Sequence, residues 1–186
     1  MGFRKGKIMK KLNKTKIRKI STLEMEITII CHIGVRQNMI VNGVSWGLKL
    51  GGKCLHECDL LSLNKTGYAT EIEIKISKAD LLKDKHKKHG HLHNYIKNLY
   101  FAVPENLKEI ALKEIPERAG LYIVKEKCNK KGTNCKLIVS LVRQPKANKN
   151  AEKWSDVERA KLARLGVMRI LTLKKNILRL KQKNNK

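Results

Sequence analysis

The stretch from His56 to Asp80 constrains the fold of this chain most strongly. Its sequence, HECDLLSLNKTGYATEIEIKISKAD, predicts two β-strands joined by a turn and followed by the start of a helix. In the second strand, Glu71, Glu73 and Lys75 alternate with isoleucines. Because side chains two residues apart lie on the same face of a strand, one face is apolar and the other carries two acids and a lysine. The sequence therefore predicts a strand with one charged face that leads into a helix.

The segments around this stretch alternate between helical and strand patterns. A first helix is predicted at 21–33, where Ser21 and Glu24 form a capping box. Ser77 is predicted to cap a helix that ends near residue 88, and a further helix is predicted at 105–115. Additional strands are predicted at 38–50, with a glycine bulge, and at 98–103, 121–126 and 136–142. This order predicts an α/β fold, with a mixed sheet that has a parallel portion and helices against its faces.

Two basic extensions flank the predicted core. Residues 1–20 contain nine lysines or arginines, residues 161–186 contain nine more, and neither segment has an acid. We predict a helix capped by Ser155 and Glu158 and ended by Gly166, then a second helix from Val167 towards Gln182. These helices either pack on the core through their apolar stripe or form a second phosphate-binding arm. The predicted organisation is a basic arm at 1–20, a core at 21–145 and a basic helical extension at 146–186.

The charge of the chain favours a polyanionic partner. The net charge is +26, from 42 basic and 16 acidic residues, which favours nucleic acid ahead of an anionic membrane surface. Aromatic residues make up only 4% of the chain, so contact with backbone phosphates is expected rather than base stacking. No stretch approaches the roughly 20 apolar residues of a membrane span. The basic N-terminus lacks the apolar segment of a secretory signal. We expect a cytoplasmic protein without a membrane partner, and charge alone does not distinguish DNA from RNA.

Asp59 and Glu73 are candidate metal ligands on adjacent strands. Two carboxylates with open coordination positions suit a hard divalent cation, Mg²⁺ with Mn²⁺ as an alternative, and the backbone carbonyl of Ile74 is a further candidate ligand. Lys75 lies about 7 Å further along the same face of the strand. Its ammonium could orient or activate a water molecule and neutralise charge that develops on a phosphorane. These groups together predict phosphodiester hydrolysis.

Asp59 followed by Glu73-Ile74-Lys75 resembles the D…(D/E)-x-K signature of the PD-(D/E)xK nuclease superfamily. Neighbouring segments are similar to its MmcB-like DNA-repair branch: EIKISKAD at 73–80, DKHK at 84–87, YFAVP at 100–104 and GLYIV at 120–124. The resemblance covers about residues 20 to 142. Cys58 stands where the motif's name has proline, a position that varies widely in the superfamily.

The resemblance implies a restriction-endonuclease-like fold, with a mixed sheet of four or five strands flanked by helices. It also implies Mg²⁺-dependent cleavage of DNA in repair or processing. Asp59 and Glu73 would hold the metal, Lys75 would be the catalytic lysine, and Glu24 would match a helical acid that some members add to the site. The alternative is a non-catalytic nucleic-acid-binding protein that retains the nuclease fold.

Other polar residues near this segment are predicted to have supporting roles. Glu71 would be an edge or supporting residue, Ser77 would support the site, and Glu57 has a weaker claim as a ligand. Nucleic-acid contact is predicted for the lysines of the second helix, Lys83, Lys85, Lys87 and Lys88. The competing interpretation of Glu73 and Lys75 is an exposed strand face with a cross-strand ion pair.

The histidines and cysteines give weaker signals. His86, His89, His91 and His93 lie among lysines, which favours a solvated or phosphate-contacting loop over a zinc site. The five cysteines predict no disulfide framework, and a reducing compartment is the expectation. Cys128 and Cys135 are predicted to lie opposite each other in a hairpin. A metal site with Cys54 and Cys58 is the lesser alternative, because neither cysteine pair has the C-x₂-C spacing. A homodimer is compatible with the sequence.

Overall fold

Six strands form one mixed sheet whose order across the sheet is the order of the chain. The computed structural model describes residues 18–50, 53–84, 93–130 and 132–184. The strands are β1 (Asn38–Leu50), β2 (Lys53–Asn64), β3 (Ala69–Ile74), β4 (Ile96–Pro104), β5 (Gly120–Cys128) and β6 (Cys135–Arg143). The α-helices are α1 (Thr22–Ile33), α2 (Lys78–Asp84), α3 (Lys108–Glu114) and α4 (Asp156–Asn184), and a 3₁₀ turn at Glu105–Leu107 precedes α3.

The centre of the sheet is parallel and its two sides are antiparallel. β3, β4 and β5 run parallel, and α2 and α3 lie in the two connections between them, as parallel strands require. β1 and β2 form an antiparallel pair, β2 is antiparallel to β3, and β6 is antiparallel to β5. The predicted mixed α/β sheet with a parallel portion is therefore confirmed. The sheet has six strands rather than the four or five that the resemblance implied.

Helices cover both faces of the sheet. On one face, Met25 and Ile29 of α1 pack in a buried cluster with Ile72 and Ile74 of β3. On the other, α2 and α3 pack over β4 and β5 in a cluster that contains Phe101. β3 therefore lies in the middle of the sheet with neither face open to solvent, and this position decides the environment of its charged residues.

Local signals in the first half of the chain are confirmed. Ser21 caps α1 and forms the predicted capping box with Glu24. The glycine bulge predicted in β1 corresponds to the register shift between Trp46 and Lys49, and Gly43 has a φ of 57°, a conformation that side chains other than glycine rarely adopt. Ser77 caps α2, because its hydroxyl oxygen accepts a hydrogen bond of 3.2 Å from the backbone N–H of Asp80.

The C-terminal extension is one continuous helix, so the predicted break at Gly166 is wrong. Gly166 lies inside α4, where a Cβ would come within 3.4 Å of the Val41 side chain on β1. A Cβ at that distance makes only an ordinary contact, so the glycine neither ends the helix nor is required by the packing. Leu162 is buried against β1 and β2, and the Arg169 guanidinium donates to the backbone carbonyl of Gly43. Beyond Arg169 every side chain of the helix through residue 184 is exposed, so the predicted packing of its apolar stripe does not extend there.

Cys128 and Cys135 are register partners in the β5–β6 hairpin, as predicted. They are also joined by a disulfide, which contradicts the expectation that the cysteines form none. Directly opposite positions of an antiparallel pair bring two side chains close enough to bond, whatever the spacing of the remaining cysteines.

Among the described residues, none of the helices has the length and apolar character needed to cross a membrane.

Candidate active site

The candidate site lies where β2 and β3 stop pairing. The last paired residues are Leu60 of β2 and Ile72 of β3. The next backbone N–H of β3 on the side of β2 belongs to Ile74. This N–H donates a 2.7 Å hydrogen bond to Oδ2 of Asp59. The Asp59 carboxylate thus takes the place of a strand carbonyl and is fixed beside the end of β3. Its side chain remains 41% exposed, so the carboxylate is open to solvent.

Lys75 and Glu73 form a buried ion pair next to Asp59. Nζ of Lys75 lies 2.6 Å from Oε2 of Glu73 and 3.7 Å from Oδ2 of Asp59, so both carboxylates reach the same ammonium. Glu73 is 1% exposed and Lys75 5% exposed. The backbone N–H of Lys75 donates to the carbonyl of Ala102 at 3.0 Å, which fixes the residue against β4. The sequence prediction that these three residues converge is therefore correct.

Burial makes this pair different from a surface ion pair. Glu73 lies in register with Phe101 of β4, and Phe101 belongs to the apolar cluster beneath α2 and α3. The alternative interpretation of an exposed strand face is therefore wrong, because helices cover that face. Away from water, a charge–charge interaction is stronger, but each charge also loses its hydration, so the pair depends on close contact.

Glu26 of α1 is a further acid, missed by sequence reasoning, whose charge interacts with that of Asp59. Burial and the nearby charge of Asp59 both raise the pKa of the Glu26 carboxyl, while a hydrogen bond from the Asn42 side chain lowers it. In the sequence, the only signal for Glu26 is an acid next to Met25, a residue that the structure shows to be buried.

Glu24, the helical acid that the resemblance suggested, has another role. Its carboxylate accepts hydrogen bonds from the backbone N–H and the hydroxyl of Ser21 and pairs with Arg18. The hydrogen bond from the backbone N–H of Ser21 is the largest of the effects that lower the pKa of the Glu24 carboxyl. Residues two apart on a helix are about 200° apart around its axis, so Glu24 and Glu26 point to different sides. Glu24 thus belongs to the cap of α1, and its role at the site stays a prediction.

Glu71 lies two residues before Glu73 on β3 and is fully buried. It is therefore not the edge residue that the sequence suggested, because β3 is a central strand. Its charge acts on Arg118, in the loop between α3 and β5: burial lowers the pKa of this guanidinium and Glu71 raises it. Glu71 is thus associated with a cation of its own, away from the solvent-exposed carboxylate of Asp59.

The remaining predicted residues fall outside this cluster or outside the described residues. Glu57 is exposed on β2, opposite Ser45 of β1. Ser77 caps α2, and its supporting role at the site stays a prediction. Lys83 is exposed on α2, so it could contact nucleic acid. Outside the described residues lie Lys85, Lys87, Lys88, His86, His89 and His91, whereas Cys54 lies on β2 opposite Lys49 of β1. The ring of His93 stacks on Tyr95 with centroids 5.3 Å apart.

The donor set of the site consists of oxygen ligands. Asp59 and Glu73 offer carboxylates beside the Lys75 ammonium, and carboxylates are the ligands that Mg²⁺, Mn²⁺ and Ca²⁺ prefer. A different group, Glu126 with Cys128 and Cys135, has its ligand atoms close together on the exposed hairpin. The two sulfurs of that group are joined in the disulfide and are not thiolates, so this group does not form a zinc site in the structure.

No protein-family model matches the sequence, and neither does any curated protein. Among solved structures, the SPO1766 protein of unknown function from Silicibacter pomeroyi has a similar fold. The TM-score is 0.53 and the sequence identity 18%, over 82% of this chain and 88% of that chain. This likeness concerns the fold alone. It supports an α/β architecture with a helix-flanked mixed sheet.

Proposed function

We propose that this protein is a Mg²⁺-dependent nuclease that hydrolyses phosphodiester bonds of DNA, on a restriction-endonuclease-like fold. The observation that carries the proposal is the convergence of Asp59 and Glu73 on the ammonium of Lys75. The three groups come from two different strands, and the group nearest to solvent is the Asp59 carboxylate. Buried charges gathered beside an accessible carboxylate are typical of catalytic sites.

The residues of the site fit a hard divalent cation. Asp59 and Glu73 would hold it, with the Ile74 carbonyl as a further ligand. Burial and, after it, the charge of Asp59 raise the pKa of Glu26, and a cation bound at Asp59 would offset the second of these causes. Such an ion, when bound, polarises the phosphoryl oxygens and lowers the pKa of a water ligand. Lys75 orients the attacking water and stabilises the negative charge that develops on the phosphate.

The charge of the chain supports a nucleic acid as the substrate. A net charge of +26 attracts a polyanion and supplies affinity that does not depend on sequence. The site itself is acidic, so the basic residues around it, including Lys83, would contact the flanking phosphates. We propose DNA in repair or processing as the substrate, and RNA is tested alongside it.

A second candidate is a non-catalytic nucleic-acid-binding protein. The observation in its favour is the depth of the Glu73–Lys75 pair, because an ion pair less than a tenth exposed on both sides can serve the fold alone. In that case, Asp59 would act only as a hydrogen-bond acceptor for Ile74. The two candidates share affinity for nucleic acid and differ in whether phosphodiester bonds are cut.

The test is cleavage of supercoiled, linear and branched DNA, and of RNA, with Mg²⁺, Mn²⁺ or EDTA. Asp59→Asn and Lys75→Met are expected to lower the cleavage rate at least about 100-fold while DNA binding persists. Glu105→Gln and Lys125→Met, which change exposed charges on other elements, are the matched controls and should cleave at the wild-type rate. Metal-dependent cleavage that survives both site substitutions would contradict the assigned site. Binding to DNA without cleavage by the wild-type protein would favour the second candidate.

A further inference from the structure

The distal half of α4 carries apolar side chains that the described residues leave uncovered. Ile170, Leu173, Ile177 and Leu180 are 56%, 56%, 52% and 61% exposed. Large aliphatic residues exposed in one contiguous group are a sign of an interaction surface. We call these four residues the α4 seam. At 1.5 Å per residue the α4 seam is about 15 Å long.

The spacing of the α4 seam is that of a coiled coil. Its residues follow each other at intervals of three, four and three, which are the a and d positions of successive heptads. Isoleucine occupies both a positions and leucine both d positions, the arrangement that favours packing against one partner helix. A helix that only contacts nucleic acid through phosphates does not need such a row.

The positions that flank the α4 seam are basic. In the heptad register, Lys174 and Lys181 occupy the e positions and Lys183 a g position, while Asn176 occupies the other g position. From residue 170 to 184 there are five basic residues and no acid. Residues at e and g meet those of the partner helix across the interface, so they select the charge of the partner. In an antiparallel second copy of this chain, lysine would face lysine, and in a parallel copy Lys181 would face Asn176, so a second copy brings no acid to Lys174 or Lys181 in either orientation.

We propose that the α4 seam binds an acidic amphipathic helix of a partner protein. The partner supplies apolar residues at a and d and glutamate or aspartate at e and g. An anionic membrane surface fits less well, because Lys174 and Lys181 lie between the α4 seam and the second apolar row of Leu171 and Leu178. A helix lying in a bilayer surface would hold both ammoniums within its apolar face. This inference is independent of the proposed nuclease activity.

The test uses a fluorescent synthetic peptide of three heptads with Ile at a, Leu at d and Glu at e and g, titrated with the full-length protein. Its glutamates also disfavour self-association of the peptide. A control peptide has the same composition, with the apolar residues moved off the heptad positions. We expect saturable binding of the first peptide and at least about tenfold weaker binding of the second, because only the first can bury a matching apolar row.

Two double variants of the protein separate the α4 seam from its surroundings. Leu173→Ser with Ile177→Ser is expected to weaken peptide binding at least about tenfold. Leu171→Ser with Leu178→Ser, which changes two comparably exposed leucines off the heptad positions, should bind as the wild type does. Circular dichroism checks that both variants keep the helix, so a loss of binding cannot come from unfolding.

Three results would overturn the proposal. Equal binding of both peptides would mean that charge alone attracts them to this basic protein. In sedimentation velocity, self-association of the wild type that the Leu173→Ser/Ile177→Ser variant loses would identify a second copy as the occupant. Binding to phosphatidylserine vesicles that the same variant loses would identify a lipid surface.

Discussion

Replacement of Lys75 by methionine tests the buried charges at the centre of the site. Methionine has nearly the length of lysine and keeps the apolar contacts of the side chain, but it removes the ammonium. Glu73, at 1% exposure, then loses the cation that lies 2.6 Å from its Oε2. We expect Lys75→Met to destabilise the fold, because a carboxylate charge stays buried without this partner.

The magnitude follows from burial. Removal of one partner from a buried ion pair costs about 3–5 kcal/mol, whereas replacement of both partners by apolar residues is close to neutral. We therefore expect Lys75→Met to lower the free energy of unfolding by about 3–5 kcal/mol. The double variant Glu73→Leu/Lys75→Met should recover most of that loss. The difference between the double variant and the sum of the single variants gives the coupling free energy of the pair.

The assay is equilibrium unfolding in urea at pH 7, followed by circular dichroism and by the fluorescence of Trp154, whose ring N–H donates to the carbonyl of Tyr95. With a slope of about 2 kcal/mol per molar urea, the expected loss lowers the midpoint by about 1.5–2.5 M. Lys146→Met is the control, because Lys146 and Glu117 form an ion pair with side chains 66% and 85% exposed. It should leave the midpoint unchanged. A loss below about 1 kcal/mol for Lys75→Met would refute the reasoning, since that is the size of a surface pair.

Three further predictions concern other parts of the molecule. Burial and Asp59 raise the pKa of the Glu26 carboxyl above its ordinary 4.5, so the folded state binds the proton of this carboxyl more tightly than the unfolded state, and stability falls as the pH rises from 4.5 through the raised pKa. In urea unfolding, Glu26→Gln should therefore be more stable than the wild type at pH 7 and equal to it below pH 4.5. Equal stability of the two proteins at both pH values would contradict the shift. Gly166→Ala should stabilise the protein by up to about 1 kcal/mol, because alanine favours helix and its Cβ would meet Val41 at an ordinary contact distance of 3.4 Å; a lower melting temperature would show that the packing is tighter than described. Under oxidising conditions, Cys135→Ser should cost about 2–3 kcal/mol through the entropy of the short loop that the disulfide closes, and no change would indicate that the bond does not form.

Local sequence patterns determined most of the secondary structure and the identity of the central site residues. The capping box of α1, the alternation along β3 and the serine cap of α2 depend on residues within a few positions of each other, which is why the sequence predicted them. The strand periodicity of two also places Glu73 and Lys75 on the same face. The sequence did not show whether Gly166 ends a helix or lies inside one, and in the structure it lies inside α4 beside Val41 of β1.

Only the tertiary structure determined whether these charged side chains are buried and which other charges lie near them. An alternating strand is compatible with an exposed charged face, and Glu73 is buried only because two later helices pack over the centre of the sheet. Glu24 and Glu26 flank the same buried methionine of α1, yet Glu24 is held in the helix cap while burial and Asp59 raise the pKa of Glu26. These outcomes depend on contacts between residues far apart in the chain. The periodicity of a strand and the cap of a helix depend on residues close together in the chain. Burial and electrostatic partners depend on how whole helices and strands pack against each other.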